Sequence, residues 1–471
     1  MARPEFVQIT PFRIERFEDL LGDDYARVER AAERARQVFA GRAIWNVSST
    51  LSGGGVAEML RTLLPYVRGA GVDARWAVIR EDGPFFELTK RLHNNLHGDP
   101  GDSGPLGPEQ RDLYAGALAS SARWIGRLIQ PGDLVFLHDP QTAGLIGAVK
   151  ATGATAIWRC HIGADLPNEL VRRAWKFLRP DVGGADACVF SRRAYAWESL
   201  DPGRVHVMAP SIDPLSPKNQ ELSAETVEEI VCMVGLGPRA AGFAPVFARA
   251  DASPARVEQR AAILQEAPLP ERARVVLQVS RWDRLKDHPG LLSCFERHLA
   301  DRDLHLVLAG PATGAVSDDP EGVQVWHQVK AAWGDLPDGV RHRAHLVNLP
   351  MEDADENAAM VNALQRRAEV VVQKSIAEGF GLTVAEAMWK RRPVIGTRVG
   401  GIQDQIVDGE SGLLVDDPHD LEALGRAIAS LADEPARAAA LGERAHARVF
   451  ERFLMPTRLA EYVDLLVGLG Q

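Results

Sequence analysis

Short unbroken apolar runs alternate along this chain with longer stretches whose apolar residues recur at helical spacing. The runs at 43–47, 75–79, 134–138, 155–161 and 205–208 are the length of buried strands. Helical patterns occupy 56–67 and 109–129, and a charged helical pattern covers 23–39. Residues 1–40 hold no clear strand, 85–97 is mixed, and the Gly- and Pro-rich stretch 98–108 reads as an exposed loop. A second series follows, with strands expected at 275–279, 305–309, 344–349, 369–373, 394–396 and 413–415 and an amphipathic helix at 457–469. Strands alternating with helices predict α/β architecture with parallel, doubly wound sheets. Two such series predict two similar halves facing across a cleft. The intervening segment is charged, helical in pattern and bounded by prolines. The expected division is therefore 1–215, a helical insert or linker at 216–268, a second sheet domain at 269–445, and 446–471, whose helix crosses back to the first domain.

Length and charge narrow the picture further. At 471 residues the chain is long for one domain. With 25% charged and 46% hydrophobic residues it has the balance of a globular protein. A formal net charge of -10 argues against nucleic acid or an acidic membrane as the main partner. No run is long and uncharged enough to span a membrane, and the N-terminus lacks an apolar core of signal type. Cys160, Cys188, Cys232 and Cys294 have no metal or redox spacing, which fits a reducing cytoplasm.

The segment Ser375-Ile376-Ala377-Glu378-Gly379-Phe380-Gly381-Leu382-Thr383-Val384-Ala385-Glu386 concentrates the candidate chemistry. It follows an apolar run and precedes a helical pattern, so it reads as strand, glycine turn, helix. Backbone N–H groups at such a helix start bind anions. Glu378 falls in the turn. Glu386 lies inside a mostly apolar helical stretch, where a carboxylate needs partners. Amides for phosphate and carboxylates for hydroxyls suit a sugar joined to a nucleoside diphosphate. Read blandly, the same segment is a turn with two surface glutamates.

Three further segments add to this. Arg281 and Lys286 follow the first strand of the second series, at the carboxyl edge of a sheet, where they can neutralise a diphosphate. Gly53, Gly54 and Gly55 join a strand to a helix and allow close backbone approach, although a tight turn explains them equally well. They match neither the dinucleotide fingerprint nor the P-loop. His161 ends a strand and can hydrogen-bond a sugar hydroxyl, while a satisfied structural histidine is the common alternative. Asp165 and Asn168 follow His161, and His138-Asp139-Pro140-Gln141 sits at another strand end with the same two readings. His93 with Asn94 and Asn95 offers hydrogen bonding suited to a polyol, although a cap or turn explains it equally well. No His, Cys and carboxylate cluster has metal spacing, and no serine nucleophile elbow appears.

The Glu378 and Glu386 pair, the 280–286 segment and the glycine loop resemble retaining glycosyltransferase family 4, of the GT-B fold. The likeness runs from about residue 40 to the end. The segments at 52–58, 89–94, 138–141, 158–162 and 210–214 resemble the trehalose glycosyltransferring synthases and the related retaining trehalose phosphorylases. The resemblance implies two Rossmann-like domains. It implies that Glu378 holds the donor sugar's hydroxyls and Glu386 the ribose. Arg281 and Lys286 would bind the diphosphate, with amides of Gly379, Phe380, Gly381, Leu382 and Thr383 and of the Gly53–Gly55 loop. His161 would contact the donor sugar near its anomeric centre. His93, Asn94, Asp139, Gln141 and Asp165 would face the acceptor. The run Gly163-Ala164-Asp165-Leu166 departs from the compact Asp-Leu-Ser-like run expected there, which bears on acceptor choice.

The implied reaction is transfer of glucose from ADP- or UDP-glucose to glucose, giving trehalose by front-face substitution, with closure of the two halves over the ligand. No bound cofactor and no divalent metal are required. The partners are small-molecule sugars, and a homodimer is compatible with the sequence. A trehalose phosphorylase, a transferase using another sugar-like or aminocyclitol acceptor, and a non-catalytic nucleotide-sugar sensor remain as alternatives.

Overall fold

The computed structural model describes residues 4–51, 55–238, 244–313 and 321–469. The chain folds into two units. Unit 1 comprises Met1–Ser211 with Met455–Gln471, and unit 2 is Ile212–Leu454.

Unit 1 is built on strands β1 (Glu5–Val7), β2 (Ala43–Ser48), β3 (Asp73–Val78), β4 (Leu134–His138), β5 (Thr155–Cys160), β6 (Ala187–Phe190) and β7 (Val205–Val207). They form a sheet in the order β1-β3-β2-β4-β5-β6-β7, parallel except for the antiparallel edge strand β1. Every residue of β2 and β4 is buried, as expected for strands covered on both faces. One face packs Trp45, Val47, Leu137 and Trp158 against helices Gly83–Leu96, Pro108–Leu128 and Glu169–Val182. On the other, Ile44, Phe136 and Ile157 meet Leu466 and Val467 of helix Met455–Leu469, with Tyr462 and Val463 alongside.

Unit 2 adds β8 (Val246–Ala248), β9 (Pro254–Arg256), β10 (Ala262–Leu264), β11 (Val275–Val279), β12 (His305–Pro311), β13 (Ala344–Leu349), β14 (Val370–Gln373), β15 (Val394–Thr397) and β16 (Leu413–Val415). Its main sheet runs β10-β13-β12-β11-β14-β15-β16, parallel except at β10. From β11 onward this is the 3-2-1-4-5-6 order of the dinucleotide-binding sheets. The strand order reverses between β11 and β14 in unit 2 and between β2 and β4 in unit 1. Ligands of open α/β sheets bind beyond the carboxyl ends of strands at such reversals. The connections that follow β11 and β14 are the segments holding Arg281, Lys286 and Glu378.

Several expectations need correction. Residues 216–268 are not a mainly helical linker. They hold one helix, Ala224–Val234, the hairpin β8–β9, and β10, which pairs with β13. The helix is short because Ser223 caps its start and Gly235, in left-handed conformation, ends it. A boundary at 446 falls inside helix Pro435–Arg452 of unit 2, and the chain returns to unit 1 at Met455. The mixed stretch 85–97 is a helix, Gly83–Leu96, started by the Asp82 cap and Pro84. Strands β1 and β6 were not anticipated.

Candidate active site

In unit 2 the turn after β11 is shaped by its own side chains. Asp283 Oδ1 accepts from the Leu285 N–H (2.8 Å) and caps the single turn Arg284–Lys286. Gly310 is needed behind it, because a Cβ there would lie 2.7 Å from the Ser280 carbonyl oxygen. Lys286 Nζ donates to Glu378 Oε2 at 2.5 Å, and both side chains are largely buried. Ser375 Oγ donates to the same oxygen at 3.3 Å. Arg281 is closer to solvent, with its guanidinium 3.6 Å from Asp283. The segments after β11 and β14 thus meet at a lysine and a glutamate that stand 92 residues apart in sequence.

The glycine turn is firmly held. Gly381 sits at φ +81°, open to glycine but strained for other residues, and precedes helix Leu382–Trp389. Gln405 Nε2 donates to the carbonyls of Phe380 (2.6 Å) and Gly381 (3.2 Å), and the Gly401 N–H donates to Gly379 O (3.2 Å). The Phe380 ring is buried against Phe453. The first N–H groups of the helix, at Leu382 and Thr383, have no acceptor within it. Thr383 Oγ1 donates to Gln373 Oε1 (2.9 Å). Glu386, further along the same helix, is 2% exposed, with Lys218 Nζ at 3.7 Å from its Oε1.

In unit 1, β4 and β5 end side by side. Asp139 takes a left-handed backbone (φ 61°), and its Oδ1 accepts from the His161 N–H at 2.7 Å. The His138 and His161 rings stack at 5.8 Å with 12° between planes. His138 Nε2 lies 3.0 Å from Asn46 Oδ1 on β2. Arg159, in β5 opposite His138, is buried with its guanidinium 4.9 Å from the Tyr462 ring, and burial pushes its pKa down to about 9. Burial first, then the charge of Arg159, hold both histidines well below the usual imidazole pKa. The His161 ring is therefore neutral near pH 7. Its Nε2 is sealed from solvent and lacks a protein partner. Unpartnered there, it keeps one hydrogen-bonding position and brings no positive charge.

The remaining candidates divide. Gly53 and Gly54 lie outside the described residues, and Gly55 opens helix Gly55–Gly69. Gln141 follows Asp139 on the short helix Asp139–Thr142. Asp165 pairs with Arg192, so its carboxylate is engaged in an ion pair within unit 1. Asn94 is 2% exposed and packs under the loop at Gly101, which makes it a support. His93 stands 4.9 Å from the ring of His97. The 93–98 and 163–168 segments do adjoin, through His97 Nδ1 at 3.1 Å from Gly163 O and Asn168 Nδ2 donating to Gly98 O at 2.7 Å.

The sequence reading passed over Asn46, Arg159, Lys218, Gln278, Asp287 and Lys374. Asn46, Arg159 and Gln278 share one visible signal, a polar residue inside an apolar strand. Among the described residues no group of three or more His, Cys, Asp or Glu is placed to hold a metal ion. No described helix is long and apolar enough to cross a membrane.

Two doubly wound sheets with these strand orders are the architecture of the GT-B glycosyltransferases. Among solved structures, the trehalose-phosphate synthase (UDP-forming) of Burkholderia xenovorans, in complex with glucose-6-phosphate, matches with a TM-score of 0.67. It is 16% identical, over 90% of this chain and 100% of that one. The family model for the N-terminal domain of trehalose synthase matches residues 46–197, and that for group 1 glycosyl transferases matches 347–448. A trehalose synthase of Pyrococcus horikoshii is 34% identical over 463 residues, 97% of each chain. A trehalose phosphorylase of Pleurotus sajor-caju is 29% identical over 78% of this chain and 50% of its own length. The chain belongs to the trehalose synthase family of glycosyltransferases.

Proposed function

We propose that this protein transfers glucose from a nucleoside-diphosphate glucose, ADP- or UDP-glucose, to glucose with retention of configuration, forming the α,α-1,1 linkage of trehalose. The observation that carries the reading is the Lys286–Glu378 contact at the β11/β14 strand reversal, beside the start of helix Leu382–Trp389, which has no side-chain cap. Lys286 and Arg281 place positive charge where a diphosphate leaves, and Glu378 places a carboxylate for the hydroxyls of the sugar it carried. The bond from the anomeric carbon to the diphosphate breaks. The bond to the acceptor oxygen forms on the same face, and the acceptor proton passes to the departing phosphate oxygen. No covalent carboxylate partner is required, unlike in retaining glycosidases. Stabilising the leaving group is then the main task of the protein. The neutral His161 suits a site where positive charge develops on the sugar ring, since an imidazolium would oppose it.

The second reading, phosphorolysis of trehalose, is favoured by the likeness to the Pleurotus phosphorylase. One assay separates the two. The purified chain is incubated with glucose and ADP-, UDP- or GDP-glucose, and released nucleoside diphosphate and non-reducing disaccharide are measured. Both products together support the synthase reading and name the donor. Release only with another acceptor keeps the transferase and moves its acceptor. Glucose 1-phosphate formed from trehalose and phosphate, with no release from any donor, replaces the reading with phosphorolysis. Binding of a nucleotide sugar without turnover in any arm makes the chain a sensor.

A further inference from the structure

Lys374 follows β14 and is 1% exposed, yet it carries a side chain that is costly to bury. Its Nζ is paired with Asp287 Oδ2. Asp287 is the residue after Lys286. It takes a left-handed backbone (φ 46°), and its Oδ1 accepts from the Gly290 N–H at 3.1 Å, starting helix His288–His298. The Lys374 N–H donates to Gln278 Oε1 at 2.9 Å, and Gln278 Nε2 donates to the Lys286 carbonyl at 2.9 Å. Gln278 lies in β11 and is fully buried.

These contacts close a ring: Gln278 to Lys286, along the chain to Asp287, across to Lys374, and back to Gln278. The Ile376 N–H reinforces it by donating to Leu285 O at 2.7 Å. The ring ties the connection after β11 to the connection after β14, the two segments whose side chains meet at Lys286 and Glu378. A buried ion pair is a poor way to add stability, because an apolar pair of the same shape often does as well. Its geometry is its advantage. The left-handed backbone at Asp287 is unfavourable for a residue other than glycine, and the Gly290 and Lys374 contacts hold it. The chain direction at Lys286 depends on that conformation.

We infer that Lys374 and Gln278 are positioning residues, which set the Lys286 ammonium against the departing diphosphate while touching no substrate themselves. The inference rests on the donor-site reading of unit 2. Misplacing a charge-stabilising group by about 1 Å costs on the order of 100-fold. Lys374→Met and Gln278→Met should therefore lower kcat about 10- to 100-fold and leave the KM for the acceptor near its original value.

The test is a double-mutant cycle on turnover, with the nucleotide-glucose and glucose assay as readout. Lys374→Met, Lys286→Ala and the pair are compared after thermal melts show that each is folded. If Lys374 acts through Lys286, its replacement adds little once Lys286 is gone. Where Lys374→Met is not recovered folded, Asp287→Asn runs the same cycle, because asparagine keeps the Gly290 cap and loses the ion pair. Losses that multiply, or a Lys374→Met enzyme with unaltered kcat beside a crippled Lys286→Ala, overturn the positioning role and leave the donor site standing. Full turnover in Lys286→Ala, or none from any donor in the unaltered chain, removes the donor-site reading and this inference with it.

Discussion

At the scale of single residues, the two candidate cations stand in different surroundings. Lys286 is largely buried and already holds Glu378, whereas Arg281 is 30% exposed and 3.6 Å from Asp283. Arg281 is thus the more solvent-exposed of the two. Arg281→Ala should lower kcat on the order of 100-fold, the usual loss when one group stabilising developing charge is removed, with little change in acceptor KM. Steady-state kinetics check this, and a near-normal kcat would remove Arg281 from the reaction. His161 carries a prediction about pH. Its pKa is depressed by burial, by Arg159 and by His138, so it remains neutral through pH 6.5. The kcat profile should therefore show no inflection near 6.5 that disappears in His161→Gln. An inflection that does disappear would mean the ring titrates in the working range.

At the scale of elements, strands covered on both faces were the readable part. The runs at β4, β11, β13 and β16 were expected to the residue, since short, mainly apolar runs bounded by polar or turn residues leave few alternatives. β1 escaped because three half-exposed residues at a sheet edge carry no pattern, and its pairing with β3 is a tertiary event. The lysine and glutamate candidates were legible as motifs. The Gln278–Lys374 ring was not, because 96 residues separate its partners and only strand order brings them together. The same holds for the imidazole pair linking β12 to β13. His305 Nδ1 is 3.0 Å from His345 Nε2, and His345 Nδ1 is 3.1 Å from Gln265 Oε1. Burial is the first cause that lowers these pKa values, to about 4 for His305 and about 3 for His345. Between pH 6.5 and those values the unfolded chain binds protons that the folded chain does not. Stability is then complete above about 6.5 and falls as pH drops, by about 1.4 kcal/mol per pH unit for each histidine. Urea midpoints at pH 7.5, 6 and 5 should fall accordingly, and less steeply in a His305→Gln/His345→Gln variant. Equal slopes would show that the pair is not responsible.

At the scale of the whole molecule, the chain leaves unit 1 at Ser211, completes unit 2, and returns at Met455. The amphipathic pattern of the last helix was visible in sequence, but which sheet it covers was not. Periodicity reports that a face is apolar without naming its partner. Helix Met455–Leu469 lies on unit 1, where Leu466 and Val467 join Ile44, Phe136 and Ile157, and Arg34 pairs with Asp464 at 2.6 Å. Tyr462 also covers the Arg159 guanidinium, 4.9 Å from its ring centre. Losing the buried Leu466 and Val467 removes about 1.5–3 kcal/mol each of apolar burial, with the part-buried Tyr462 adding to it, a large share of the roughly 5–15 kcal/mol that holds a domain folded. It also opens the buried Arg159 to water. A chain ending at Leu454 should therefore lose unit 1 selectively. Limited proteolysis should degrade residues 4–211 while a fragment spanning Ile212–Leu454 persists. Nucleoside-diphosphate binding, measured by calorimetry with ADP and UDP, should then survive in part, because Arg281, Lys286 and the Gly381 helix start all belong to unit 2. Proteolysis and melting indistinguishable from the full chain would show that the helix is a peripheral cover, and that the first sheet closes its own core without it.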